Sequence, residues 1–253
     1  MLETFALLLA GVASGALNAI GGGGTFVALP ALVAAGLPPV AANASSTVAL
    51  LPGALASAWA YRGDVAQVGT PTRAALTTAS LLGSAAGAAL LLVLPAESFD
   101  AAVPWLLAFA TVVLAFGRAF SRLLGAALGR SIGFGARGVL LGQVVLAAYG
   151  GYFGGAVGIL MLAWWNLGLG LDPAKGNSAR VVQLGAIYAT AAVFFLIASD
   201  VLRYPAQVGA VLLGALVGGF AGGHGARRLP APVLRALVLT TATAMTILYS
   251  LKP

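Results

Sequence analysis

Long apolar stretches separated by short polar loops run through almost the whole chain. We predict apolar segments at 4–20, 24–36, 44–61, 71–94, 101–117, 138–150, 155–170, 178–198, 205–225 and 232–250. Several reach the roughly 20 residues that a membrane-spanning helix needs. The three shorter ones, 24–36, 138–150 and 155–170, lie beside glycine clusters. The pattern therefore predicts full spans and, in each half of the chain, a pair of helical pieces joined at glycines.

Composition predicts an all-α polytopic membrane protein. Hydrophobic residues make up 60% of the chain and charged residues 8%, whereas a typical soluble domain is about 25% charged. The net charge of +7 comes from residues in loops between apolar spans. We therefore attribute it to orientation in the membrane and expect no nucleic-acid partner. The chain has no cysteine, which excludes disulfides and thiol chemistry.

One phrase is written twice in the chain. Residues 21–43 and 155–177 share six identities in 23 aligned positions, which are Gly21/Gly155, Gly24/Gly158, Gly36/Gly170, Leu37/Leu171, Pro39/Pro173 and Asn43/Asn177. Matched hydrophobic segments broken by glycine are typical of the binding site of a duplicated transporter. We predict a first repeat at 1–117, a basic cytoplasmic connector at 118–137 and a second repeat at 138–253.

The relative orientation of the repeats depends on how each glycine-joined pair is built. One long broken helix would give eight spans and repeats of the same orientation, whereas a hairpin, re-entrant or fully crossing, would give inverted repeats. Corresponding loops carry opposite charge bias: the loop with Arg62 and Arg73 matches one with Arg203 beside Asp200. Inverted repeats put 11 of the 13 basic residues on one face, against 8 for the alternative. The positive-inside rule therefore favours inverted repeats with both termini outside.

Each copy of the phrase has a glycine cluster, a short apolar piece ending in glycine, and then a proline followed by small polar residues. The first copy contains Gly21–Gly24, Pro30, Gly36, Pro39, Asn43, Ser45, Ser46 and Thr47, and the second contains Gly151, Gly154, Gly155, Gly158, Gly170, Pro173, Asn177, Ser178 and Arg180. This pattern resembles the TauE/SafE family of membrane permeases. The resemblance implies a prokaryotic plasma (inner) membrane transporter of sulfite, sulfonates, sulfoacetate or related oxyanions. Trp164 replaces the proline of the first copy, which leaves the particular anion open.

The breaks also have the chemistry of an anion site. Helix N-termini expose N–H groups and about half a positive charge, and glycine lets an anion approach them closely. We expect Asn43 and Asn177 to cap helices 44–61 and 178–198, with hydroxyl donors in the first turn. Arg180 would offer a cationic fork to a sulfonate or sulfite. The candidate substrate-binding residues are Gly22, Gly23, Gly24, Thr25, Asn43, Ser45, Ser46, Thr47, Gly155, Asn177, Ser178 and Arg180.

Several of these residues also have a purely structural interpretation. Arg180 and Lys175 could snorkel to the cytoplasmic face. Other polar residues within apolar stretches are as well suited to joining helices as to binding a ligand, and these are Asn18, Gln143, Asn166 and Gln183. No acidic residue is predicted inside a span, so the energy source of transport is left open.

We predict a secondary anion transporter that works by alternating access and has no enzyme activity, cofactor or metal. Its predicted partners are a small anionic substrate and the lipid bilayer, and a homodimer is left open. One alternative is an anion channel, although matched broken helices suit a carrier better. Another is an intramembrane hydrolase that would pair Ser14 with His224.

Overall fold

A computed structural model describes residues 1–64, 70–109, 111–112, 135–225 and 240 of the chain. The helices are α1 (Leu2–Ile20), α2 (Thr25–Ala34), α3 (Pro39–Ala60), α4 (Arg73–Val93), α5 (96–109), α6 (Gly135–Tyr152), α7 (Val157–Leu169), α8 (Pro173–Ala198) and α9 (Pro205–Gly225). Short 3-10 turns follow α3 and α8, at Arg62–Asp64 and Asp200–Arg203. These described residues contain no strand, so the all-α prediction is confirmed.

Prolines determine where α3 and α8 begin. Pro39 and Pro173 are the first residues of these helices, a position that tolerates proline because an N–H there has no intrahelical partner. Gly36 and Gly170 precede them with positive φ angles of +88° and +65° and end α2 and α7. The predicted helix starts at 44 and 178 are therefore five residues too late.

Each glycine-joined pair of helices folds back on itself. In the second half, a Cβ added to Gly150 would lie 3.0 Å from Val157, and Trp164 Nε1 donates to the Val139 carbonyl at 3.3 Å. Residue numbers along α7 therefore increase as those of the facing residues of α6 decrease, so the two helices are antiparallel. In the first half, Gly24 contacts the backbone of Ser14, ten residues earlier. In both halves the chain therefore turns back on itself at the glycines.

The two halves pack through matching helix pairs. Helix α1 of the first half lies beside α9 of the second half, and α6 of the second half lies beside α4 of the first half. Both pairs run parallel and approach closely at small residues, where Gly11 contacts Val211, Gly15 contacts Ala215, Gly83 contacts Val144 and Gly87 contacts Ala148. Glycine allows such approach because no side chain separates the two backbones.

Helices α3 and α8 form the centre of the bundle. Of the five candidate spans, the one in α3 is the most buried, at 72% against 39–50% for the others. Asn177, near the start of α8, donates to the hydroxyl of Tyr61 at the end of α3. Further along, a Cβ on Gly185 would lie 3.6 Å from Leu55. Helices α3 and α8 therefore run antiparallel where they meet.

The helices have the length and surface of a membrane protein. Among the described residues, five helices are long and apolar enough to cross a membrane, at Leu2–Ile20, Pro39–Ala60, Arg73–Val93, Lys175–Ala198 and Pro205–His224. Large apolar side chains such as Leu82, Ile197 and Val217 are exposed, as lipid-facing residues are. A multi-pass membrane protein is confirmed.

Some predicted segments fall outside this description. The last predicted apolar segment, 232–250, lies outside the described residues apart from residue 240. Most of the predicted connector, 118–137, also lies outside them, and its last three residues belong to α6. The repeat and connector boundaries stay predictions.

Candidate functional site

The glycine breaks of the two halves meet inside the bundle. A Cβ on Gly22 would lie 2.7 Å from Gly158 Cα, and a Cβ on Gly158 would lie 3.0 Å from Gly22 Cα. Gly22 also has a φ of +79°, which glycine adopts without steric cost. Gly158 is the second residue of α7, where backbone N–H groups have no intrahelical partner. The N-terminus of α7 therefore faces the break of the first half.

Arg180 reaches this crossing from the centre of the bundle. It is the eighth residue of α8, and its side chain is fully buried, with 0% exposure. Its Nε donates to Asn177 Oδ1 at 2.9 Å, and its Nη2 donates to the carbonyl of Ala19 at 2.8 Å. Snorkelling is thus the wrong interpretation of Arg180, whereas Lys175, nearer the start of the helix, is exposed.

The third nitrogen of the guanidinium has no protein partner. Nη1 of Arg180 is buried and makes no hydrogen bond. A Cβ on Gly22 would lie 2.7 Å from this nitrogen, and one on Gly158 would lie 2.6 Å from it. Glycine at both positions therefore leaves the space that Nη1 occupies. A buried, unsatisfied cationic donor is costly unless something else binds it.

The two asparagines bind helix ends instead of capping their own helices. Asn43 Nδ2 donates to the carbonyl of Tyr152, the last residue of α6, at 2.8 Å. Asn177 Nδ2 lies 3.5 Å from the carbonyl of Ala19, near the end of α1. Each amide thus approaches a carbonyl at the end of another helix, where that carbonyl has no partner within its helix. The prediction that these residues are N-caps is wrong because α3 and α8 begin four residues before them.

Only one of the two asparagines joins the arginine. Asn177 Oδ1 accepts from Arg180, whereas Asn43 Oδ1 is buried without a partner. The residue that corresponds to Arg180 in the first half is Ser46, 134 positions earlier. Its hydroxyl donates to the backbone carbonyl of Asn43 at 2.8 Å and is too short to reach as far as a guanidinium.

The predicted hydroxyl donors have several different environments. Thr47, like Ser46, donates to the carbonyl of Asn43, at 3.2 Å, and Ser45 Oγ is buried without a partner. Thr25, at the start of α2, lies 3.3 Å from the hydroxyl of Tyr188. Ser178 is buried two residues before Arg180. The first-turn placement predicted for the hydroxyls of α3 and α8 is wrong, since both helices begin earlier.

The remaining predicted glycines, Gly23, Gly24 and Gly155, contact neighbouring parts of the chain. Gly24 N donates to Asn18 Oδ1 at 2.8 Å, and Gly23 accepts from Phe26 at the first turn of α2. A Cβ on Gly155 would meet the ring of Phe153 at 2.5 Å. Of the predicted glycines, the structure thus brings only Gly22 to the guanidinium, and the close glycine from the second half is Gly158.

Two tyrosines contribute contacts that sequence reasoning missed. The Tyr188 hydroxyl lies 3.3 Å from Asn18 Nδ2 as well as from Thr25, so it joins α8 to both helices of the first hairpin. Tyr61, interpretable from sequence only as an interfacial aromatic, accepts from Asn177 at 3.2 Å. Both are single tyrosines in apolar segments, and nothing in their local sequence marks these partners.

A second buried polar cluster holds the hairpin of the second half. Gln143 Nε2 donates to Ser80 Oγ at 2.8 Å, and its Oε1 accepts from Trp165 at 3.1 Å. Ser80 in turn donates to Gln183 at 2.9 Å, and Gln183 donates to Thr77 at 3.1 Å. The cluster joins α4, α6, α7 and α8. These groups bind one another, so Gln143 and Gln183 join helices, which is one of the two interpretations that the sequence left open.

The pairing proposed for a hydrolase is not formed by these contacts. His224 is exposed in the last turn of α9, where its Nδ1 lies 2.9 Å from the carbonyl of Phe220 on its own helix. Ser14 Oγ is buried without a hydrogen-bond partner. Within the described part of the chain, no group of three His, Cys, Asp or Glu residues could hold a metal ion.

Comparison with known proteins gives a family for nearly the whole chain. The sequence model of the family described as sulfite exporter TauE/SafE matches residues 7–249. No curated protein and no solved structure matches the chain significantly. The family consists of membrane transporters that export sulfur anions rather than enzymes. The resemblance seen in the duplicated glycine phrase is thereby confirmed, and the chain belongs to the TauE/SafE family.

Proposed function

We propose that this protein is a secondary transporter that moves a small sulfur-containing or organic oxyanion across a prokaryotic plasma (inner) membrane by alternating access. The observation that carries the proposal is the buried guanidinium of Arg180, whose Nη1 has no partner in the protein. An oxyanion would supply the missing acceptor. Arginine suits this role because it stays charged and presents several N–H groups to one oxyanion.

The surroundings of the guanidinium support an anion as the ligand. Among the described residues no carboxylate is within ion-pair distance of Arg180, and the ion pair between Arg203 and Asp200 lies at the surface. The N-terminus of α7 faces the same point through Gly158, and helix N-termini favour negative charge. Gly22 and Gly158 leave room for Nη1 at this point, which places the guanidinium next to the helix N-terminus.

The helix arrangement supports alternating access between inverted repeats. Matching helix pairs, α1 with α9 and α6 with α4, relate the two halves, and α3 runs opposite to its counterpart α8. Binding near the crossing of two such repeats is the arrangement in which one repeat can rock against the other around a fixed site. Full burial of Arg180 fits an occluded carrier site better than the water-filled path of a channel.

Transport measured in proteoliposomes tests the proposed function. We expect saturable flux of labelled sulfite or a sulfonate in the wild type, and a loss of at least about 30-fold, or about 2 kcal/mol, in Arg180→Gln, because truncating a buried charge that binds a charged ligand has this order of cost. Arg203→Gln is the matched control, since Arg203 is an exposed arginine paired with Asp200. Unchanged flux in Arg180→Gln, with melting temperature preserved, would remove the site.

Single cysteines test the inverted repeats. The chain contains no cysteine, so Gly63→Cys in the turn after α3 and Leu202→Cys in the matching turn after α8 each give one thiol. Both positions are exposed. Inverted repeats require the two thiols to react with an impermeant reagent from opposite sides of the membrane. Reaction from the same side would contradict the proposed arrangement.

A further inference from the structure

We propose that the site selects oxyanions with a single negative charge, such as sulfonates and hydrogensulfite, over doubly charged ones such as sulfate. This inference rests on the proposed function and specifies the substrate class of the same site. The supporting observation is the number of charged side chains that are buried where the glycine breaks of the two halves meet.

Arg180 is the one buried charge among the charged residues whose burial the structure describes. Its exposure is 0%. All the other such residues are exposed, and these are Glu3, Arg62, Arg73, Glu97, Asp100, Arg137, Asp172, Lys175, Asp200 and Arg203. Among the charged residues whose burial is described, the interior therefore offers a ligand one integer positive charge and no carboxylate that would offset it.

Helix ends at the site add little to that charge. The guanidinium contacts the carbonyl of Ala19 near the C-terminus of α1, which is the negative end of a helix dipole. It also adjoins Gly158 near the N-terminus of α7, which is a positive end. These partial charges are each about half an elementary charge and opposite in sign. They direct the anion toward α7 without changing the total.

The charge of the ligand then decides the charge of the occluded complex. A singly charged oxyanion would neutralise Arg180, whereas a doubly charged one would leave a net negative charge among apolar helices. Burying an uncompensated charge is strongly unfavourable in a protein interior and in a membrane. We therefore expect the singly charged ligand to be preferred by at least about tenfold, since even a small part of that penalty reaches this ratio.

Methanesulfonate and sulfate are a matched pair for the test, because both are tetrahedral at sulfur and differ by one charge. We would measure saturable uptake of each labelled anion by the full-length protein in proteoliposomes. The inference expects the apparent affinity for methanesulfonate to exceed that for sulfate by about tenfold or more. Equal affinities, or a preference for sulfate, would overturn the inference and leave the proposed function standing. If the protein takes up none of methanesulfonate, sulfate and sulfite, the proposed function itself is overturned.

Two variants identify the origin of the preference. Arg180→Lys keeps one positive charge and should keep the order of preference, although binding weakens because the planar fork is lost. Arg180→Gln removes the charge and should abolish the preference. A preference for methanesulfonate that survives in Arg180→Gln would mean that another feature selects the charge, and would overturn the inference.

Discussion

Residues 22 and 156 occupy the same place in the two halves of the chain, 134 positions apart, and both have a positive φ angle. The first is glycine, with a φ of +79°, and the second is alanine, with a φ of 58°. A Cβ at position 22 would collide with Arg180 and Gly158, whereas the Cβ of Ala156 is accommodated in the core. The surroundings of position 22 therefore allow only glycine, whereas those of position 156 allow alanine.

The difference follows from the residue that each turn faces. The first turn faces Arg180, and the residue that corresponds to Arg180 in the first half is Ser46. Asn177 has the guanidinium as a partner for its Oδ1, whereas the Oδ1 of Asn43 has none. A cation thus lies beside the first turn, and none of the described contacts places one beside the second. If this asymmetry is functional, substitutions at the two turns and at the two asparagines should have unequal effects on transport.

Among variants of the two turns and the two asparagines, Gly22→Ala should have the largest effect. The added Cβ would lie 2.7 Å from both Arg180 Nη1 and Gly158 Cα, so left-handed strain and overpacking should together cost about 2–5 kcal/mol and reduce transport by more than about tenfold. Gly36→Ala is the matched control, because Gly36 has a φ of +88° and nothing within 4 Å of an added Cβ. It should cost about 1–2 kcal/mol from strain alone.

Unfolding in detergent and flux in proteoliposomes would be measured for both glycine variants. If Gly22→Ala were as stable as Gly36→Ala and transported normally, the close approach of the breaks to Arg180 would have no functional role.

Truncation of the two asparagines should have unequal effects. Asn177→Ala removes the acceptor of a cationic donor and should cost about 1.5–3 kcal/mol, whereas Asn43→Ala removes a neutral hydrogen bond and should cost about 1 kcal/mol. Substrate affinity should fall further in Asn177→Ala, because the guanidinium loses the group that orients its Nε. Thermal unfolding with and without substrate measures both quantities. Equal losses of affinity in the two variants would contradict the asymmetry between the halves.

Ala156→Gly should have the smallest effect. Removing the Cβ relieves the left-handed strain, while glycine adds conformational entropy to the unfolded chain, so the free energy of unfolding should change by less than about 1 kcal/mol. Transport should be retained, since the second turn adjoins no guanidinium in the contacts described. Chemical or thermal unfolding checks the stability. A loss of transport would show that position 156 contributes to the site as strongly as position 22.

Much of the architecture could be predicted from the chain alone. The apolar segments coincide with α1, α4 and α9 to within two residues at every end, because segment length and hydropathy are local properties that a membrane enforces. The helix starts of α3 and α8 were the main local error. Pro39 and Pro173 mark those starts, and a proline at the first helical position predicts them once it is given more weight than hydropathy.

The candidate site was predicted in part, for a physical reason. Arg180 is distinctive as a charge within an apolar segment, and Gly22 and Asn177 lie in the duplicated phrase, so composition and repetition identify all three. The roles of Gly158 and Tyr61 depend on contacts between distant parts of the chain, as does the different use of Asn43. No local pattern encodes such a contact.

The amino-acid sequence by itself determined that this is a helical membrane protein of the TauE/SafE family, because hydropathy, segment length and the glycine pattern act through local physical preferences. Only the tertiary structure decided that both breaks meet at one arginine, that its Nη1 has no partner, and that the matching asparagine in the other half has no cation beside it. These features depend on which surfaces of distant helices come together, and packing across the whole bundle determines that.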